Sequence, residues 1–240
     1  MARLTPALQR SRLAFDYRTT RALVAPALGA VRAYRAEDDL RARREVTPDD
    51  GAAGQAVLYV VEYRLPVLVG PDTTVPAVTV RFNLLDGGNY PYSTPAAAVT
   101  SRPTPWSPHV HPATGLVCLG EGWPLAAGRM LFAQLVVHVL RLLNCDEPDR
   151  DPSYVGWNAA AIHYWRTVLH RRPLHPDLEY PRLPAELTHR GARVDATFRP
   201  VGEAAPVFAP DDFRPADAAD EDADEDTDAD VAFVPLWRVS

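Results

Sequence analysis

The chain has 240 residues, of which 47% are apolar, enough for one globular domain with appendages. No apolar run approaches the length of a bilayer span, which argues against a membrane protein. The net charge of −6 is confined to one end: from Asp211 to Asp230 there are eleven acidic residues and one Arg, a local −10, leaving the remainder near +4. That small excess forms no basic stripe, so nucleic-acid binding is not expected.

Arg3 is followed by no apolar stretch of a signal peptide. With two cysteines, Cys118 and Cys145, the expectation is a reducing cytoplasm and no disulfide. All 25 basic residues are Arg, and there is no Lys. Two readings of that absence stand. An Arg-rich, Ala-rich genome depletes Lys, and a protein that carries an activated acyl group is protected by lacking amines, since a guanidinium is too basic to attack.

Leu13, Tyr17, Leu23 and Val24 predict a helix near 8–25, and Val31 and Tyr34 a second near 27–44, with Pro26 interrupting the pattern. Thr47–Gly51 reads as a turn. Ala56–Val69 is β-branched and apolar, Pro71–Thr74 turns, and Ala77–Leu85 alternates through Val78, Val80, Phe82 and Leu84. A turn at Asp86–Asn89 and a third strand at Ala96–Thr100 complete an antiparallel meander flanked by helices, an α+β pattern.

The next stretch, Trp106 to Pro124, is rich in turn formers and holds His109, His111 and Cys118. Cys118 lies in the short apolar run Leu116–Leu119 after Gly115, so a Pro-rich loop delivers a thiol onto an extended segment. A lone Cys is either a small buried hydrophobe or a candidate nucleophile. Metal binding fails on ligand count, because His109, His111 and Cys118 have no C-x-x-C or H-x-x-x-H support. A papain-like pair needs an imidazole beside the thiolate. His138 and His163 would have to serve, and both read as lying on packed helix faces.

Met130–Leu143 is apolar on nearly every face, as a buried helix is, with His138 as a hydrogen-bonded core residue. Cys145 reads as buried. Asp146–Pro152 is an acidic connector, with Asp151 or Ser153 starting the next helix. Val155–His170 places Trp157, Ala161, Ile162, Trp165 and Leu169 on one helical face. Beyond Arg172 prolines recur and periodicity weakens. The domain organisation expected is 1–175 for the folded domain, 176–210 for an irregular extension, 211–230 for an acidic disordered linker and 231–240 for an apolar docking motif. The sequence does not name the partner of that motif, which would bind by strand addition or groove insertion or fold back on the domain.

The order of the pieces carries a resemblance. Tyr90-Pro91 through Pro95, Pro108-His109, Gly115 through Leu119, Trp123-Pro124, the apolar helix, Asp151-Pro152 and Asn158 through Ala161 follow one another as Y-P-x-x-x-P, H-P-N, G-x-x-C-L, Trp, helix, D-P and N-x-A-A do in ubiquitin-conjugating enzymes. The chain resembles that family over roughly Gln55 to Leu169. It departs at H-P-N, where Ser107-Pro108-His109 puts His109 at the Asn position, and the loop to Cys118 is one residue longer.

The resemblance implies the ubiquitin-conjugating fold and a bacterial ubiquitin-like modification system, some of which are linked to phage defence. It implies that Cys118 accepts a ubiquitin-like modifier as a thioester from an adenylating activating enzyme and passes it to an amine or hydroxyl of a target protein. His109 would support the oxyanion or the cysteine loop, since an imidazole N–H can donate to developing charge, and it would titrate near neutral pH. Trp123 would shape the site and Asp151 would orient the acceptor. No cofactor and no metal are implied, since ATP is consumed by the activating enzyme. The rival expectation is a non-catalytic binding module on the same fold, docking the modifier or the activating enzyme.

Overall fold

The computed structural model describes residues 5–35, 44–48, 51–85, 90–119, 130–146 and 156–182. Helix α1 (Pro6–Leu23) starts at Thr5, whose hydroxyl accepts from the Leu8 N–H, with Pro6 in the first turn where a missing N–H costs nothing. Its inward face carries Leu13 and Tyr17, and also a buried carboxylate, Asp16. Asp16 accepts from Arg12 Nε at 2.7 Å, from the Tyr90 hydroxyl and, at 3.0 Å, from the Phe132 N–H. One buried charge thus joins α1, the Tyr90 loop and the start of a distant helix. Breaking such a buried pair typically costs about 3–5 kcal/mol.

Where a second helix was expected near 27–44, the described residues form a turn and a strand. A single turn, α2 (Ala25–Leu28), ends at Gly29, whose φ of 133° is open to glycine and strained for any other residue. Strand β1 (Val31–Arg35) follows, with Val31 and Ala33 buried. The period-two burial of these residues outweighs the Leu, Ala and Arg content that suggested a helix.

The long apolar run is likewise divided. Strand β2 (Ala56–Tyr63) leaves the sheet before Pro66, which has no ladder donor, and a hairpin of β3 (Val67–Gly70) and β4 (Thr73–Val75) is inserted before β5 (Val78–Asn83) and β6 (Ala96–Val99). The main sheet is an antiparallel meander in the order β1-β2-β5-β6, with four strands where three were expected. Val61 pairs with Val31 on one side and Val80 on the other, and Val80 in turn with Val99.

Alternation decides which face is buried. Val78, Val80 and Phe82 of β5 point inward while their neighbours are half-exposed. Helix α3 (Phe132–Leu143) lies on that face: Phe132 packs on Tyr59 at 4.4 Å and edge-on to Phe82 at 5.3 Å, and the Tyr63 hydroxyl donates to the Val136 carbonyl. Eight of its twelve residues are buried, as its apolar composition predicts.

Helix α4 spans Ala159–Thr167, shorter than the expected 155–170. Asn158 caps it by accepting from the Ala161 N–H at 3.1 Å, so neither Asp151 nor Ser153 starts it. Ala161, Ile162 and Trp165 are buried as expected, Leu169 is half-buried, and Trp157 precedes the helix and is 44% exposed. Beyond α4 the chain stays attached across the boundary drawn at 175: the Asn144 side chain donates to the His175 carbonyl and to the Tyr180 hydroxyl, and accepts from the His175 N–H. The acidic linker and the apolar end, 211–240, lie outside the described residues.

Candidate functional site

Cys118 sits at the end of a small extension of the sheet. Residues 115–117 run antiparallel to β6: the Val99 N–H donates to Gly115 and the Val117 N–H to Ala97. On their other side lies 109–111, with the His111 N–H donating to Leu116 and the Cys118 N–H to His109 at 2.8 Å. Val110 and Val117 are directly opposed and both buried, so their side chains point into the core. By alternation His109, His111, Leu116 and Cys118 share the other face. The thiol is half-buried there.

Gly115 makes this extension fit. Its φ is +73°, and a Cβ would stand 2.5 Å from the Val99 carbonyl oxygen, so neither the conformation nor the space admits a side chain. The G in G-x-x-C has a physical reason.

Two imidazoles hold the backbone at the thiol. His138, reaching from α3, places Nε2 2.9 Å from the Leu119 carbonyl oxygen. A carbonyl only accepts, so Nε2 carries the proton. His109 hydrogen-bonds the Cys118 backbone in a way that favours its charged form, as donation to a carbonyl does. Burial nevertheless pushes His109 down to about 4, and the nearby His138 ring adds to the fall. His138 is lowered for the same leading reason, burial. Both rings are neutral near pH 7, so His109 does not titrate near neutrality as its residue type suggested. Underneath, Ser107 donates to the Leu142 carbonyl and accepts from the His109 N–H, fixing the loop to the end of α3.

His111 is turned outward. Its Nδ1 accepts from the Thr114 N–H at 3.2 Å and its ring meets Trp157 edge-on at 6.0 Å. The Trp157 backbone N–H donates to the Pro108 carbonyl, which ties the residue bearing this exposed indole to the loop that carries His109.

The structure therefore brings together Cys118, His109 and His138. Trp123 and Asp151 lie outside the described residues. His163 is exposed on α4, not on a packed face. Among the described residues no three His, Cys, Asp or Glu side chains are arranged to hold a metal ion, and no helix is long and apolar enough to cross a membrane. Cys145 is 3% exposed and occupies the left-handed position after α3, with φ 56°. The bonds from Cys145 N–H to Leu142 and from Asp146 N–H to Arg141 make this a Schellman cap, a place glycine usually takes.

Sequence reasoning assigned His138 to the core and missed its contact with the thiol segment. The available signal was a lone titratable ring on an otherwise apolar helix. Compared with known proteins, the chain matches no family model and no curated protein.

Proposed function

We propose that the protein is a ubiquitin-conjugating-like acyl carrier with Cys118 as its thiol. The Cys118 thiolate attacks the C-terminal carbonyl carbon of a ubiquitin-like modifier held as a thioester on an activating enzyme. A new C–S bond forms as the old one breaks, and the activating enzyme's thiolate leaves with the electron pair. An acceptor amine or hydroxyl then attacks the same carbon, Cys118 leaves as thiolate, and the acceptor's proton passes to solvent. His109 steadies the cysteine loop by its bond to the Cys118 backbone. Trp123 shapes the site and Asp151 orients the acceptor, roles that rest on the resemblance of the motifs around them.

The observation that carries this reading is the setting of Cys118: half-buried at the end of a sheet extension whose residues 115–117 are bonded on both sides, with its own N–H bonded to the His109 carbonyl. A merely packed cysteine looks like Cys145, enclosed and on the core. The four-stranded meander with α1 before it and α3 and α4 after it has the element order expected of the fold. The absence of Lys agrees with a chain that must not acylate itself.

Intact mass measurement tests the reading. Incubated with the cognate modifier, its activating enzyme and ATP, the chain should gain the mass of one modifier less one water, released by reductant. In Cys118→Ser the adduct should be an oxyester that survives reductant and yields to hydroxide. A chain that binds the modifier reversibly and never gains its mass is a binding module instead.

A further inference from the structure

We propose that His138 is a positioning residue for the Cys118 thiol: from helix α3 it holds the Leu119 carbonyl and so fixes the segment that presents the nucleophile. The inference rests on the reading of Cys118 as the reactive thiol.

The Cys118 N–H is bonded to His109, and the Leu119 carbonyl one residue on is bonded to His138 Nε2 at 2.9 Å. The thiol therefore sits between two anchors belonging to different parts of the fold. The His109 anchor lies within the loop itself, whereas His138 ties the segment to a helix whose apolar face is buried, with Phe132 against Tyr59 and Phe82 of the sheet. Apart from Gln134, Arg141 and this ring, α3 is apolar throughout, and all three polar side chains have an assigned use. Gln134 accepts from the Leu131 N–H at the helix start, Arg141 approaches Asp146 at 3.5 Å, and His138 reaches the thiol segment. A half-buried polar ring on an apolar helix costs desolvation unless it is bonded. Leu119 packs against the core, so the carbonyl that His138 holds belongs to a residue already anchored on its side-chain side. Releasing it loosens the thiol segment and leaves the remainder of α3 in place.

The test uses the full chain and the two cysteines as paired reporters. Cys118 is half-buried and Cys145 is buried at the end of α3. Alkylation by iodoacetamide at fixed pH, read at each cysteine by peptide mass, is measured for the native chain, His138→Leu and His138→Gln. Loss of one hydrogen bond corresponds to about a fivefold to tenfold change in the population of the opened segment. The expected result is a Cys118 rate about five to ten times higher in His138→Leu, with Cys145 as protected as before. In His138→Gln, whose amide N–H reaches the same carbonyl, the Cys118 rate should return to within about twofold of the native value. An unchanged Cys118 rate in His138→Leu overturns the proposal. So does a Cys145 rate that rises in step with Cys118, which marks a general packing role, or a Gln variant as reactive as Leu. The measurement needs no modifier and no activating enzyme, so its failure and a failure of the conjugation reading are separate results.

Discussion

Cys118 and Cys145 are the same side chain placed in two different regions of one domain, and the difference lies in what surrounds the backbone. At Cys145 the chain has just closed α3 in a left-handed cap, the side chain is enclosed, and Asn144 beside it ties down His175 and Tyr180. At Cys118 the chain leaves the end of a short strand held between β6 and residues 109–111, the side chain faces away from Val110 and Val117, and two neutral imidazoles take the surrounding carbonyls. Position beside a helix end makes a thiol structural. Position at the end of a pinned strand, on the face turned from the core, leaves it half-exposed.

A thiol reagent should discriminate strongly between the two cysteines. In the native chain Cys118 should alkylate about a thousandfold faster than Cys145, because a buried thiol reacts only through openings that cost several kcal/mol. In denaturant the rates should converge. Equal native rates would mean that the two environments are not distinct.

Acid should act on the Cys118 side through His109. Burial holds its pKa at about 4, below the 6.5 of an exposed imidazole. Between those values the unfolded chain binds more protons than the native one. Stability is therefore full above about pH 6.5, declines as pH falls toward 4, and levels off below, a loss of about 3 kcal/mol from this group. His138 adds to the loss in the same direction. Denaturant midpoints recorded across this range should fall less steeply for His109→Gln than for the native chain. Parallel profiles would show that His109 is not buried and neutral.

A smaller effect is expected at Gly115. Gly115→Ala forces a side chain into a left-handed conformation and against the Val99 carbonyl, a cost of about 2 kcal/mol. The variant should unfold at lower denaturant and expose Cys118 to alkylation before Cys145. Loss of protection at both thiols together would place Gly115 in the global core and not at the thiol's edge.

Much of this arrangement was legible in the sequence, for reasons that differ by element. The alternation of Val78, Val80 and Phe82 and the largely apolar Phe132–Leu143 announced a sheet with a buried helix against it, because burial repeats with the period of the backbone. The thiol's extended setting was visible in Gly115 through Leu119. Strand β1 was not, because its five residues follow a Leu- and Ala-rich stretch and its register is fixed by pairing with β2, a long-range fact. Trp157 was assigned to the core by spacing alone, and it is exposed because Asn158 starts the helix one residue later. His138 was read as a core residue since periodicity reports which face is buried and says nothing about which carbonyl stands opposite.

The central claim is that Cys118 carries an acyl group and Cys145 does not. A charging reaction with modifier, activating enzyme and ATP, resolved on non-reducing gels, addresses it directly. The account predicts a thiol-sensitive adduct on the native chain and on Cys145→Ala, and none on Cys118→Ala. No adduct on the native chain, with an upstream enzyme shown to be active, would contradict it.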